Sequence, residues 1–131
     1  MLVAQDGGLQ LSGQLGGLPA ARAVGFHIHQ TGDCRAVDAS SAGPHFNPLD
    51  HAHGGESGGP RHLGDLGNLH ADAQGRVVVA KHLPGLVLGG GAANDILGRA
   101  LVVHASADDF TTQPAGNAGA RIACGVIRAL P

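Results

Sequence analysis

The stretch FHIHQTGDC, residues 26–34, sets two histidines two positions apart in an apolar run and follows them with a cysteine. Along a β-strand, residues i and i+2 point to the same side. His27 and His29 therefore project together, while Phe26 and Ile28 point the opposite way. Such a strand offers one face to a hydrophobic core and carries two imidazoles on the other. A pair of imidazoles is either half of a metal site or an accident of a solvated face. The flanking sequence has to decide.

Working outward, similar short apolar runs recur: LQLSGQL (9–15), VGFHIH (24–29), RVVVAKHL (76–83), LVLGG (86–90), RALVVHA (99–105) and ARIACGVIRAL (120–130). Each is aliphatic or β-branched and is bounded by turn residues such as DGG, AQG and LPG. No segment keeps a 3.6-residue period over helix length. The pattern predicts an all-β sandwich or barrel. With 131 residues, 43% of them apolar, the chain reads as one domain, 1–131, large enough for a core. There is no Trp or Tyr and only three Phe, so Leu, Val, Ile and Ala must build that core.

Between residues 32 and 75 the alternation breaks down into Gly, Pro, His and Asp. A loop this long in a small domain is functional or disordered, and an ordered one needs a pin. His45, His53, His62 and Asp65 lie within it, three imidazoles and a carboxylate that make a good tetrahedral set for zinc. His51, His70 and His82 read as solvated. His104 ends RALVVHA, where a strand enters a second irregular stretch (106–119). If that strand meets the first, His104 joins His27 and His29 in an imidazole-only group, which suits copper. Cys34 and Cys124, the only cysteines, are either two buried thiols or a bridge from the loop to the last strand. A bridge would indicate an oxidising compartment.

The formal charge of −2 argues against a nucleic-acid partner, and no apolar run is long enough for a membrane span. The first residues, MLVAQDGGLQ, carry no basic segment of a secretory signal peptide. On that reading the chain is cytoplasmic or a mature periplasmic or secreted form with an added Met. If the cysteines pair, the periplasmic or secreted location is favoured.

Taken together, GFHIHQTGDC, AGPHFNPLDHAHGG, RHLGDLGNLHAD, GRALVVHASADD and GNAGARIACGVI closely resemble the copper/zinc superoxide dismutases, in order and from about residue 24 to 128. The resemblance implies a Greek-key β-sandwich or flattened barrel with a long metal-binding loop and a second active-site loop. It also implies dismutation of superoxide to oxygen and hydrogen peroxide, with copper and zinc as cofactors. By the same resemblance His27, His29, His45 and His104 are copper ligands, and His45, His53, His62 and Asp65 are zinc ligands, so that His45 bridges the two. Asp108 matches the aspartate linking a copper ligand to a zinc ligand. Cys34 and Cys124 match the family disulfide, and Arg121 matches the arginine that guides the anion.

Two departures from the family stand out. The chain enters LQLSGQL almost at once, so it reads as N-terminally short and lacking the usual first strand. Residues 9–15 are then expected to form an exposed edge, open to a homodimer or to pairing with a neighbouring chain. The second loop is also short and poor in charge, leaving steering to Arg121. The rival reading is a non-catalytic copper/zinc-binding module.

Overall fold

Short aliphatic runs separated by glycine turns give seven strands in the computed structural model, which describes residues 1–55 and 59–130. The strands are β1 (Leu2–Gln5), β2 (Gly8–Leu15), β3 (Ala23–His29), β4 (Asp65–His70), β5 (Val77–Pro84), β6 (Ala100–His104) and β7 (Arg121–Val126). They form two antiparallel sheets, β1-β2-β5 and β4-β3-β6-β7. The neighbours β3–β6 and β2–β5 are far apart in sequence, as the crossovers of a Greek-key sandwich require.

The expectation that residues 9–15 form an edge is corrected. Leu2–Gln5 makes a strand ahead of them, pairing Leu2 with Leu11 through Gln5 with Gly8, while β5 pairs along the other side of β2. Asp6 and Gly7 both have positive φ, 51° and 74°, as a two-residue hairpin turn demands. The free edge therefore belongs to β1, and β2 keeps an open side only beyond Ser12, at Gly13–Leu15. Pairing with a neighbouring chain through the whole of residues 9–15 is not available.

Two further expectations change. The irregular stretch 32–75 contains a strand, β4, and LVLGG (86–90) is not one. In β4, Leu66 and Leu69 are both buried although three residues apart, a spacing that cannot share one face of a regular strand. A bulge resolves this: Gly25 faces Asn68 and His27 faces Asp65, so β4 carries one extra residue, with Gly67 at φ 79°. Residues 86–90 instead enter a turn held by the Asp95 carboxylate, which accepts the N–H groups of Gly89, Gly91 and Leu97.

β3 behaves as its alternation predicts. Phe26 and Ile28 enter the core with Leu9, Leu11, Val24, Leu66, Leu69, Val79, Leu83 and Val103. Burying such a side chain is worth roughly 1.5–3 kcal/mol. His27 and His29 occupy the other face and are also buried, because the two loops fold over it. On β6 the same face carries Ala100, Val102 and His104. Ala100 and Val102 pack with Ala42 and with Cys34 and Cys124, which form a disulfide under the long loop. A second bulge lies next to His104: Val103 faces Ala123, yet His104 faces Arg121, so β7 has one residue more than its partner there.

Candidate metal centre

The loop-covered face of the larger sheet gathers all seven predicted ligand residues, each of them buried. His27 and His29 come from β3 and His104 from the end of its neighbour β6. His45 follows the 3₁₀ turn Ser40–Ala42 and makes an isolated bridge to His29. His53 and His62 lie farther along the long loop, and Asp65 opens β4. The side chains of His51, His70 and His82 stay outside, on exposed residues.

The hydrogen bonds determine which ring atoms face inward. His29 Nδ1 lies 2.8 Å from the Gly43 carbonyl and His104 Nδ1 3.2 Å from the Gly119 carbonyl. A carbonyl only accepts, so both Nδ1 atoms carry the proton and both Nε2 atoms are bare. His27 Nε2 donates to Asp108 Oδ2 at 2.7 Å, leaving its Nδ1 without a partner. His45 Nε2 is likewise buried and unpartnered. These four residues form a group in which one ligand atom of each lies within 4.8 Å of the others.

A second group forms around the other nitrogen of His45. Asp65 Oδ1 lies 2.9 Å from His45 Nδ1, 2.9 Å from His53 Nδ1 and 3.3 Å from His62 Nδ1. His53 Nδ1 has no hydrogen-bond partner in spite of that approach. Its Nε2 donates to Asp108 Oδ1 at 2.7 Å, so its inward atom is bare too. The Asp65 Oδ2 atom is already satisfied by the N–H groups of Gly54 and His62. Donor atoms on a tetrahedron with bonds of about 2.0–2.1 Å lie about 3.3 Å apart. The residues present fit metal ions, because the unpartnered nitrogens of His27, His45 and His53 are buried acceptors that repel their neighbours unless a cation lies between them.

Electrostatics agree. Burial lowers the pKa of His29 to about 3 and that of His104 to about 4, and it also lowers His27 and His62, so the rings stay neutral and able to ligate. Burial alone would raise Asp108, but the hydrogen bonds from His27 and His53 outweigh it and hold the carboxyl at about 2. The same contest keeps Asp65 below the usual range, with the His45 bond and the Gly54 N–H prevailing over burial. Both carboxylates are therefore anionic at neutral pH.

Asp108 joins His27 to His53 across the two groups, as the resemblance implies. Arg121, at the start of β7, donates from Nη1 to the Ala39 carbonyl at 3.0 Å, and the Cys34–Cys124 bridge ties the same loop to the same strand. Two supporting residues escaped the sequence reading. Asn68 grips Asp108 through its main chain, accepting the Asp108 N–H at 2.7 Å and donating to its carbonyl at 3.1 Å. Gly116, at φ 71°, lies so close that a Cβ there would strike the Asp108 carboxylate and approach His53 Nε2 to 2.6 Å. The one available signal was the GNAG stretch, whose glycines are common in any turn.

A disulfide-tied β-sandwich with a buried, histidine-rich metal site is the class these features define. The copper/zinc superoxide dismutase (SODC) family profile matches residues 2–127, and the chain belongs to that family. It is 39% identical over 130 residues to superoxide dismutase [Cu-Zn] 1 of Aquifex aeolicus, a match covering 97% of this chain and 77% of the relative. Over 109 residues it is 50% identical to the superoxide dismutase [Cu-Zn] of Schizosaccharomyces pombe, covering 79% of this chain and 69% of that one. The crystal structure of a SOD-like protein from Bacillus subtilis superposes with a TM-score of 0.85 at 39% identity, covering 94% of this chain and 84% of that one. Among the described residues no helix is long and apolar enough to cross a membrane.

Proposed function

We propose that the chain dismutates superoxide at a two-metal centre, with copper held by His27, His29, His45 and His104 and zinc by His45, His53, His62 and Asp65. The observation that carries this reading is His45, whose two ring nitrogens face different clusters of bare donors. When bound, copper supplies the one-electron redox chemistry and zinc a fixed, redox-inert charge. His45 Nε2 is the atom at which a proton is held and given up during turnover. Asp108 orients His27 and His53 and keeps their inward nitrogens bare. Arg121 offers the anion a half-buried cation, and a cation at the mouth of a cleft focuses the field on the approaching charge.

A non-catalytic copper/zinc-binding module is the rival reading, and it has no use for a cation beside the imidazole group. A periplasmic or secreted location goes with the disulfide. Reconstitution should yield one copper and one zinc per chain together with superoxide dismutation. His104→Ala should lose copper and keep zinc. Full copper occupancy in that variant would overturn the assignment, and two bound metals without activity would favour the rival. Arg121→Glu should slow the reaction and weaken its dependence on salt, since screening shortens electrostatic reach to about 8 Å at physiological ionic strength.

A further inference from the structure

Beneath the centre, three residues that supply no ligand atom close a ring of backbone hydrogen bonds. Phe46 N–H donates to the Ile28 carbonyl at 2.8 Å, Ile28 N–H to the Gly64 carbonyl at 2.8 Å, and Gly64 N–H to the Phe46 carbonyl at 2.9 Å. Each member is a chain neighbour of the ligands. Ile28 lies between His27 and His29, Phe46 follows His45, and Gly64 precedes Asp65. The ring thus joins three separate segments: strand β3, the stretch after the 3₁₀ turn, and the entry to β4. Ile28, Phe46 and Gly64 are all buried, so water does not compete for these bonds.

Gly64 is the member whose lack of a side chain matters. A Cβ there would fall on the Ile28 carbonyl oxygen and come within 3.1 Å of Phe46 N and Cβ. Gly64 is absent from the residues with positive φ, so its backbone conformation does not itself demand glycine. Close approach does. Arg99 covers the ring from outside, with its guanidinium 4.1 Å from the centre of the Phe46 ring and its Nη1 donating to the Gln30 carbonyl at 2.9 Å.

Among the ligand atoms, the His45 Nδ1–Asp65 Oδ1 contact links only two of these three segments, and the bare nitrogens of His27 and His45 repel. We propose that the Ile28–Phe46–Gly64 ring is a metal-independent clasp that sets the spacing of the two ligand groups, with Gly64 as its positioning residue. The proposal rests on the reading of the site as a two-metal centre sharing His45. A shift at Gly64 moves the Asp65 carboxylate against His45 Nδ1, and so disturbs both groups at once.

Two experiments test it. In the metal-free chain with its disulfide intact, hydrogen exchange should show the amides of Ile28, Phe46 and Gly64 protected together, about 100-fold more than those of Leu49 and Ala52. Exchange of the three at loop rates until metal is added would overturn the clasp. In Gly64→Ala, the copper(II) electron paramagnetic resonance spectrum and the visible bands of cobalt(II) in the zinc position should both shift. Affinity for cobalt(II) should fall at least about tenfold. Gly125→Ala is the control, since a Cβ there meets nothing within 4 Å. A folded Gly64→Ala chain with the spectra and affinities of the parent would also overturn the clasp, whereas mere structural damage would lower stability and leave the spectra in place. A parent chain that takes up neither metal would count against the two-metal reading instead, and hydrogen exchange then decides the clasp alone.

Discussion

His29 Nε2 and His104 Nε2 face each other at 3.3 Å with no proton to share, because the other nitrogen of each ring donates to a backbone carbonyl. Protonating either ring in the folded chain means charging a buried group. Their folded pKa values, about 3 and about 4, lie below the ordinary 6.5, so the unfolded chain binds more protons in between. Stability of the metal-free protein is therefore fully present above pH 6.5 and is lost as pH falls toward 4. Stability from urea denaturation should drop by on the order of 3–4 kcal/mol between pH 7 and pH 5, about 2 for each ring. A flat profile across that range would show that the rings are not held neutral.

Asp108 uses one carboxylate oxygen for His27 and the other for His53. Asp108→Asn can accept only one of these bonds well, and its amide offers a donor to the other ring. Partners of this kind are worth about 10–100-fold in metal affinity. The loop-borne group should suffer more, since His53 has no strand to hold it, while His27 lies within β3. Chelator competition for zinc and for copper on the same variant measures the two losses separately.

The Cys34–Cys124 bridge spans a sequence separation of 90 residues. By the chain-entropy account, a closure of that length is worth up to about 4–5 kcal/mol. Replacing both cysteines with serine should cost roughly 2–5 kcal/mol in chemical denaturation. It should also free the loop that carries Ala39, the acceptor of the Arg121 guanidinium. A loss below about 1 kcal/mol would mean that the oxidised unfolded chain is little constrained.

The hairpin at the N-terminus makes its own forecast. Residues 9–12 lie between β1 and β5 and should exchange their amide hydrogens slowly in a monomer, whereas alternate amides of β1 face outward and should exchange quickly. Uniformly fast exchange over residues 9–12 would mean that β1 is not formed in solution.

Much of this was legible beforehand, for physical reasons that differ from place to place. β3 could be read because its alternation matches its two faces, apolar toward the core and imidazole toward the loops. The seven residues that cluster beneath the loops could be named because their order and spacing follow the family pattern. β4 could not, because its bulge breaks the period that marks a strand. LVLGG looked like a strand because an apolar run carries no sign of the Asp95 carboxylate that bends it. The first hairpin was missed although its Asp-Gly turn was in plain view, since four residues ahead of a turn make a weak strand signal. The carbonyls of Gly43 and Gly119, which set the ring tautomers, belong to the backbone and leave no mark in the side-chain sequence.

The bulge beside His104 has an evolutionary meaning. β7 reaches His104 with Arg121 only because Ile122 is an extra residue in the ladder. Which side of the sheet the guanidinium occupies is thus a matter of odd or even counting. Regular pairing with Ile122 retained would set Ile122 opposite His104 and Arg121 opposite Ala105, on the side of the apolar interior, where a lone guanidinium cannot remain. Loss of the bulge, with no buried histidine altered, would thus be enough to take the cation away from the His104 side of the sheet.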